Sequence, residues 1–173
     1  MTIRRLVPAD AHVFQALRLR GLMEDPGAFA SSHAEEVDRP IGTVAERLAP
    51  KPDGAVFGAF EGAALVGITG VQREGMRKLA HKAFVWGMYV APGARCRGIG
   101  RALLERALEF AAAELRVRQV TLGVHTENEA ALALYRRCGF EVFGTERDAL
   151  LVDGVLQDEC WMVCRVVDRP RGS

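Results

Sequence analysis

One stretch, FVWGMYVAPGARCRGIGRALLERALEFAAA from Phe84 to Ala113, limits what this chain can fold into more than any other. Phe84 to Val90 is a short aromatic and β-branched run that stops at Ala91-Pro92-Gly93, which predicts a buried strand. Beyond it, Leu103, Leu104, Ala107, Leu108, Ala111 and Leu115 recur at the spacing of one helix face. Between the two, Arg95, Arg97 and Arg101 alternate with Gly98 and Gly100. A strand therefore feeds a helix through a basic, glycine-containing turn.

Such a turn has a chemical use. The first turn of a helix presents backbone N–H groups that lack intrahelical partners, and the macrodipole adds partial positive charge there. Glycines let a ligand approach the backbone, and guanidinium forks match phosphate oxygens. The expectation is a phosphate site, with more than one phosphate suggested by three arginines. A Walker A loop is excluded because Ile99-Gly100 follows Gly98 where Lys and Ser or Thr are required. A dinucleotide-binding turn is excluded because Gly98-Ile99-Gly100 continues as Arg101-Ala102-Leu103.

What remains is R-x-x-G-x-G from Arg95 to Gly100. It is similar to the acyl-CoA pyrophosphate loop of the GNAT superfamily of N-acyltransferases. Asn128 to Phe140, NEAALALYRRCGF, resembles the N-x-x-A-x-x-L-Y-x-x-x-G-F segment of the same superfamily at every defined position. The resemblance spans nearly all of the chain. It implies acetyl-CoA as cosubstrate and an amine as acceptor, and an N-terminus without an apolar core of signal-peptide length leads to the expectation of a soluble, cytoplasmic protein.

Length and composition are compatible with this. At 173 residues and 49% hydrophobic content the chain is expected to form one domain over residues 1–168, with a loose tail over 169–173. A net charge of +1 gives no bulk electrostatic case for nucleic acid or a membrane surface, and no window approaches the roughly 20 apolar residues of a membrane helix. Cys96, Cys138, Cys160 and Cys164 form no C-x-x-C pair and the histidines are scattered, so no metal is expected. Cys160 and Cys164 share a strand face but lie roughly 13 Å apart, beyond disulfide reach. Cys96 sits where a thiolate is favoured, yet no base neighbours it in sequence, and it reads as a bystander.

The remaining elements follow in order. Ile3 to Val7 reads as a strand, and Pro8-Ala9-Asp10 as a turn leading to an N-cap. Val13, Phe14 and Leu17 mark a first helix ended by Asp25-Pro26-Gly27. Periodicity fades from Ala28 to Pro40, a polar and acidic stretch, before a short helix from Ile41 to Leu48. Ala55 to Phe60 and Ala64 to Val71 form a hairpin. Gln119 to His125 is a further strand, Thr126 with Glu129 offers a capping box, and Gly139 is the C′ residue of the next helix. Glu141 to Arg147 and Val155 to Val166 are two closing strands joined at Asp153-Gly154. The fold class is α/β: a single mixed sheet flanked by helices in the order β-α-α-β-β-β-α-β-α-β-β.

The resemblance also assigns roles. Tyr135 is implied as the general acid for the leaving thiolate, and Asn128 as a contact to the pantetheine arm. Backbone groups of Met88, Tyr89 and Val90 are implied to bond the pantetheine amides if the neighbouring strand splays away. Arg95, Cys96, Arg97, Gly98, Ile99, Gly100 and Arg101 are implied to line the pyrophosphate, with only some of the arginines touching it. Other readings stand beside these: Tyr135 as a core aromatic, Asn128 as a helix cap, Arg101 with Glu105 as an exposed ion pair. The attacking amine must lose a proton, yet Lys82 to Val90 and Gln119 to Val124 hold no carboxylate, and Gly123 occupies one position where relatives place a glutamate. Glu24, Asp25, Glu35, Glu36, Glu127 and His125 are candidates that sequence does not rank.

Three functions are compared: an acetyl-CoA-dependent N-acetyltransferase acting on a small amine or a protein N-terminus, a catalytically silent acyl-CoA sensor, and a phosphate-binding regulatory domain. The acidic residues from Met23 to Asp38 suit a cationic acceptor, and a homodimer is left open.

Overall fold

The computed structural model describes residues 1–166. The expected tail over 169–173 lies outside the described residues. The strands are β1 (Thr2–Arg5), β2 (Gly54–Glu61), β3 (Ala64–Arg73), β4 (Lys82–Val90), β5 (Gln119–His125), β6 (Glu141–Val152) and β7 (Val155–Arg165). The helices are α1 (Ala11–Glu24), α2 (His33–Glu36), α3 (Ile41–Leu48), α4 (Ile99–Ala113) and α5 (Glu129–Arg137). The strands form one sheet of order β1-β2-β3-β4-β5-β7-β6. Its neighbours are antiparallel except β4 and β5, which run parallel as a strand-helix-strand connection requires.

Each face of the sheet has its own core. On one, α4 buries Leu103, Leu104, Ala107 and Leu108 against Phe57, Val71, Val85 and Val120. On the other, Phe14, Leu17 and Leu22 of α1 pack with Val44 and Leu48 of α3 over Val56, Phe60 and Ile68. Each fully buried leucine contributes on the order of 2 kcal/mol, so the two layers hold the sheet between them.

The sheet opens at its centre. Cα pairing between β4 and β5 covers only Lys82 with Gln119, Ala83 with Val120 and Phe84 with Thr121. Past Phe84, the β5 side of β4 has no strand partner, as the pantetheine expectation required. On the other edge a bulge falls between Ile68 and Gly70, where Gly87 (φ 64°) and Met88 together oppose one residue of β3. The extra residue shifts the side-chain phase of β4. Met88 and Val90 therefore turn to the α4 layer, with Val85, while Tyr89 joins the α1 layer.

Several local expectations change. The acidic stretch from Ala28 to Pro40 contains α2, a single turn whose N-cap Ser32 accepts from Glu35 N and whose Glu35 carboxylate accepts from Ser32 N. Asp10 does not cap α1 through its side chain; Arg4 holds its carboxylate at 2.7 Å, and that carboxylate accepts from Val7 N. The cap of α5 is Asn128 and not Thr126, whose backbone N–H is committed to Asp158 O across the sheet. β6 runs on to Val152, because Leu150 to Val152 pair again with Val155 to Gln157 after an irregularity at Asp148 (φ 53°).

Candidate active site

A cleft of about 1500 Å³ passes through the gap between β4 and β5. Met88, Tyr89 and Val90 line it from the bulged end of β4, and Asn128 and Tyr135 line it from α5. Arg95, Cys96, Gly98, Ile99, Gly100 and Arg101 line it at the start of α4, whereas Arg97 does not.

The basic turn has an unusual backbone. Cys96 (φ 60°) and Gly98 (φ 78°) both lie in the left-handed region, and Gly98 is the N-cap of α4. Alternating left-handed residues turn successive backbone N–H groups toward one concavity. Gly98 takes this conformation without strain, whereas Cys96 does so at a cost of roughly 1 kcal/mol. A Cβ on Gly100 would stand 3.2 Å from Leu134 Cδ2 and 3.7 Å from Met88 Cε, so bare backbone is what keeps this end of the cleft open. Backbone amides at a helix start with space above them fit a diphosphate.

The arginines are directed elsewhere. Arg95 Nη2 donates to Asp25 at 2.6 Å and its Nε to the Val90 carbonyl at 2.8 Å. Arg97 pairs with Glu61 at 2.8 Å, and Arg101 with Glu105 at 2.8 Å as the exposed i,i+4 pair. Pairs this exposed are worth about 0–1 kcal/mol and exchange readily for another anion. The backbone is the standing donor set.

The segment from Leu134 to Phe140 has a local physical explanation. Gly139 (φ 87°) lets Phe140 N donate to Tyr135 O at 3.0 Å and Gly139 N to Arg136 O at 3.0 Å, the bonding pattern of a Schellman cap. The hydrophobic contact of that cap is the Tyr135 and Phe140 rings, 5.9 Å between centroids. The Tyr-x-x-x-Gly-Phe spacing thus fixes the tyrosine at the end of α5. Its ring is buried, but its hydroxyl makes no hydrogen bond within the described residues. Burial pushes the phenol well above its usual pKa. It is a protonated group at neutral pH that lines the cleft. Asn128 Oδ1 accepts from Ala131 N at 3.0 Å, which leaves its NH2 free to serve a ligand.

The other side of the cleft carries Arg18, Phe29, Arg47 and Trp86. Arg18 of α1 donates to Glu36 of α2 through Nε and Nη2, each at 2.6 Å. Burial pushes the Glu36 carboxyl up, but the hydrogen bonds from Arg18 and Ser31 and the charges of Arg18 and Arg47 bring it down to about 2. Arg18 and Arg47 both stack on Trp86. Tyr89 donates its hydroxyl to Glu24, which also accepts from Arg20. Glu24, Asp25, Glu35 and Glu36 are thus all engaged within the protein. Of the acidic run, Glu36 is neutralised by buried Arg18, whereas Glu35, bonded only to Ser32, keeps its charge at the cleft wall and Asp38 is exposed outside it.

A residue outside the sequence candidates also lines this side. Glu159 of β7 stands opposite His125 of β5, and Trp161 opposite Gly123. The Glu159 carboxylate lies 3.1–3.3 Å from where a Gly123 Cβ would be, so it fills the space the glycine leaves. It has no hydrogen bond or ion pair among the described residues. Burial, and then the charge of Glu146, raise its pKa against the opposing influence of His125. The available signal was period-two alternation, which puts Glu159 on the Trp161 face of its strand. Among the described residues no cluster of three or more His, Cys, Asp or Glu side chains is placed to hold a metal, and no helix is long and apolar enough to cross a membrane.

A mixed sheet parted at its centre over an uncovered helix start defines the acyl-CoA-dependent acyltransferase class of α/β protein. The chain belongs to the acetyltransferase (GNAT) family, whose model matches residues 14–140. It is 42% identical over 103 residues to the N-alpha-acetyltransferase RimI of Mycobacterium tuberculosis, covering 60% of this chain and 62% of that protein. The match therefore spans less than two thirds of this curated relative. A GNAT-family acetyltransferase from Streptococcus pneumoniae superposes with a TM-score of 0.84 at 25% identity, covering 95% of this chain and 98% of that one. A putative acetyltransferase from Salmonella typhimurium, solved with its cofactor acetyl-CoA, has the same fold with a TM-score of 0.77 at 18% identity, covering 100% and 97%.

Proposed function

We propose that this protein transfers the acetyl group of acetyl-CoA directly to a primary amine of a small molecule or a protein N-terminus. The observation that carries the proposal is the joining, in one cleft, of the bare first turn of α4 and the unbonded hydroxyl of Tyr135. Bound acetyl-CoA supplies an activated acyl carbon on a thiol leaving group. The backbone N–H groups of Gly98, Ile99, Gly100 and Arg101 hold the diphosphate, with Cys96 shaping the loop. Arg95 and Arg101, which line the cleft, assist by exchanging their surface carboxylates for phosphate, while Arg97 stays with Glu61 outside it. Backbone groups of Met88, Tyr89 and Val90 and the amide of Asn128 orient the pantetheine arm. The Arg95 bond to the Val90 carbonyl has to open for that carbonyl to take part.

Tyr135 is the proton donor to the leaving sulfur. A phenol is protonated at neutral pH and burial raises its pKa further, so the proton is present in every molecule and is given up only as charge develops on the leaving sulfur. The relative named as an N-alpha-acetyltransferase supports an amine acceptor and keeps a protein N-terminus among the candidates. The test is thiol release from acetyl-CoA across a panel of amines and N-terminal peptides. Tyr135→Phe is expected to lower kcat about 100-fold while leaving CoA affinity within about threefold. A phenylalanine variant with full turnover removes the acid role, and a wild type that binds CoA but releases thiol with no amine replaces the enzyme reading with that of a sensor.

A further inference from the structure

The acceptor amine is an ammonium in water, with a pKa of roughly 10, and only its neutral form has a lone pair to attack with. Some group must take its proton. Neither β4 nor the β5 run from Gln119 to Val124 carries a carboxylate, Asp38 and Glu127 do not line the cleft, and Glu24, Asp25, Glu35 and Glu36 already accept from Tyr89, Arg95, Ser32 and Arg18.

We propose that Glu159, reaching across from β7 into the space above Gly123, is the catalytic base that accepts the acceptor's proton. This rests on the acetyl-transfer reading above. The geometry makes glycine at 123 a requirement and not a loss. The Glu159 carboxylate occupies the place next to the β5 backbone that a side chain at position 123 would fill, with Oε2 3.1 Å from the ideal Cβ. A carboxylate is thus delivered to the β5 edge of the cleft from the neighbouring strand. Glu159 lines the cleft, has no hydrogen-bond or ion-pair partner among the described residues, and is half-buried. Glu74 is another carboxylate of the cleft lining without a side-chain partner, but its backbone N–H bonds Lys82 O at the paired start of β4, whereas Glu159 stands beside Gly123 where β4 and β5 have parted, with both oxygens available. The titratable groups facing it are His125 of β5 and Glu146 of β6, both opposite it in register. Glu146 is occupied by Trp161 Nε1 at 2.8 Å, so it repels without competing as a partner.

The step balances as follows. The ammonium gives one proton to the Glu159 carboxylate, which passes it to solvent. The freed lone pair forms the C–N bond as the C–S bond breaks, the sulfur takes the Tyr135 proton, and the second nitrogen proton returns to the phenolate. The net products are the amide, the free thiol and one proton.

The experiment compares wild type, Glu159→Gln and the relocated pair Gly123→Glu with Glu159→Ala, each checked for unchanged thermal stability and CoA affinity. Glu159→Gln is expected to lower kcat/KM at pH 7 by about 100-fold and to abolish the acid limb of the pH profile. The relocated carboxylate is expected to restore at least tenfold of that loss. Carboxyl-carbon NMR of the free protein is expected to show one glutamate titrating above the ordinary value of about 4.3, absent in Glu159→Gln. A glutamine variant within threefold of wild type with the same pH profile overturns the proposal, as does a Glu159 carboxyl that titrates at or below the ordinary value. A wild type inert toward every amine overturns the acetyl-transfer reading instead, and the titration still decides whether Glu159 holds its proton unusually well.

Discussion

Glu36→Gln tests how the acceptor side of the cleft is held together. Glu36 is 1% exposed, and its carboxylate binds Arg18 through two bonds of 2.6 Å and Ser31 Oγ at 2.7 Å, with Arg47 at 3.7 Å. The amide keeps the shape but removes the charge, leaving the Arg18 guanidinium, itself 4% exposed, without an anion. Breaking one side of a buried pair costs about 3–5 kcal/mol. The acid behaviour of Glu36 gives a second route to the magnitude. A carboxyl brought from its ordinary 4.5 down to about 2 holds about 3 kcal/mol of stability at neutral pH. Because the folded-state value is depressed, that stability is complete above about pH 4.5 and is lost as pH falls toward 2. Below pH 2 the protonated wild type is the chemical equivalent of the variant. Thermal melts followed by circular dichroism should place the variant about 6–12 °C below wild type at pH 7, with the gap narrowing to a few degrees by pH 2.5. A pH 7 loss under about 1 kcal/mol, or a gap that does not change with pH, refutes this account. Since Arg18 stacks on Trp86 in the cleft, the variant is also expected to raise the acceptor KM more than it alters CoA affinity.

Gly100→Glu puts a carboxylate at the helix start and a Cβ 3.2 Å from Leu134; calorimetry should show CoA affinity lowered at least 30-fold. Arg101→Ala, which removes only an exposed pair, should cost less than tenfold, and equal losses for the two would shift the assignment from backbone to side chains. Leu104→Ala empties a fully buried position of α4 and should cost about 2–5 kcal/mol in urea denaturation; a cost under 1 kcal/mol would mean the α4 layer repacks freely.

Sequence was most informative where the chemistry is local. The strand, glycine turn and helix from Phe84 to Ala113 were legible because each signal lies within a few residues of the next. The Tyr135 to Phe140 spacing was legible for the same reason, since a Schellman cap is made entirely from neighbours. What failed to show was set across the fold. α2 is one turn with no apolar period, held by Glu36 reaching back to Arg18. The partners of Arg95 and Arg97, Asp25 and Glu61, are far away in the chain. Glu159 meets Gly123 only because β7 lies beside β5 in one particular register, and a strand shifted by one residue would turn that carboxylate to the opposite face.

That register has a chemical consequence. Val120, Leu122 and Val124 of β5 pack with Tyr135 in the α4 layer, while Gly123 and His125 face the opposite way with Glu159. β5 therefore stands between the proposed acid and the proposed base. Burial raises the pKa of both, with opposite uses: the phenol keeps a proton to give, and the carboxylate gains affinity for one it must take. Placed side by side, the two would hydrogen-bond each other, as Tyr89 and Glu24 do, and neither would be available. Set on opposite faces of one strand, they can meet only through reactants seated in the gap beyond Phe84 and Thr121, with the thioester on the Tyr135 side and the amine on the Glu159 side. Lengthening the β4–β5 pairing past that point would close the passage while leaving both side chains intact. Loss of turnover without loss of either pKa shift is the signature expected of such a variant.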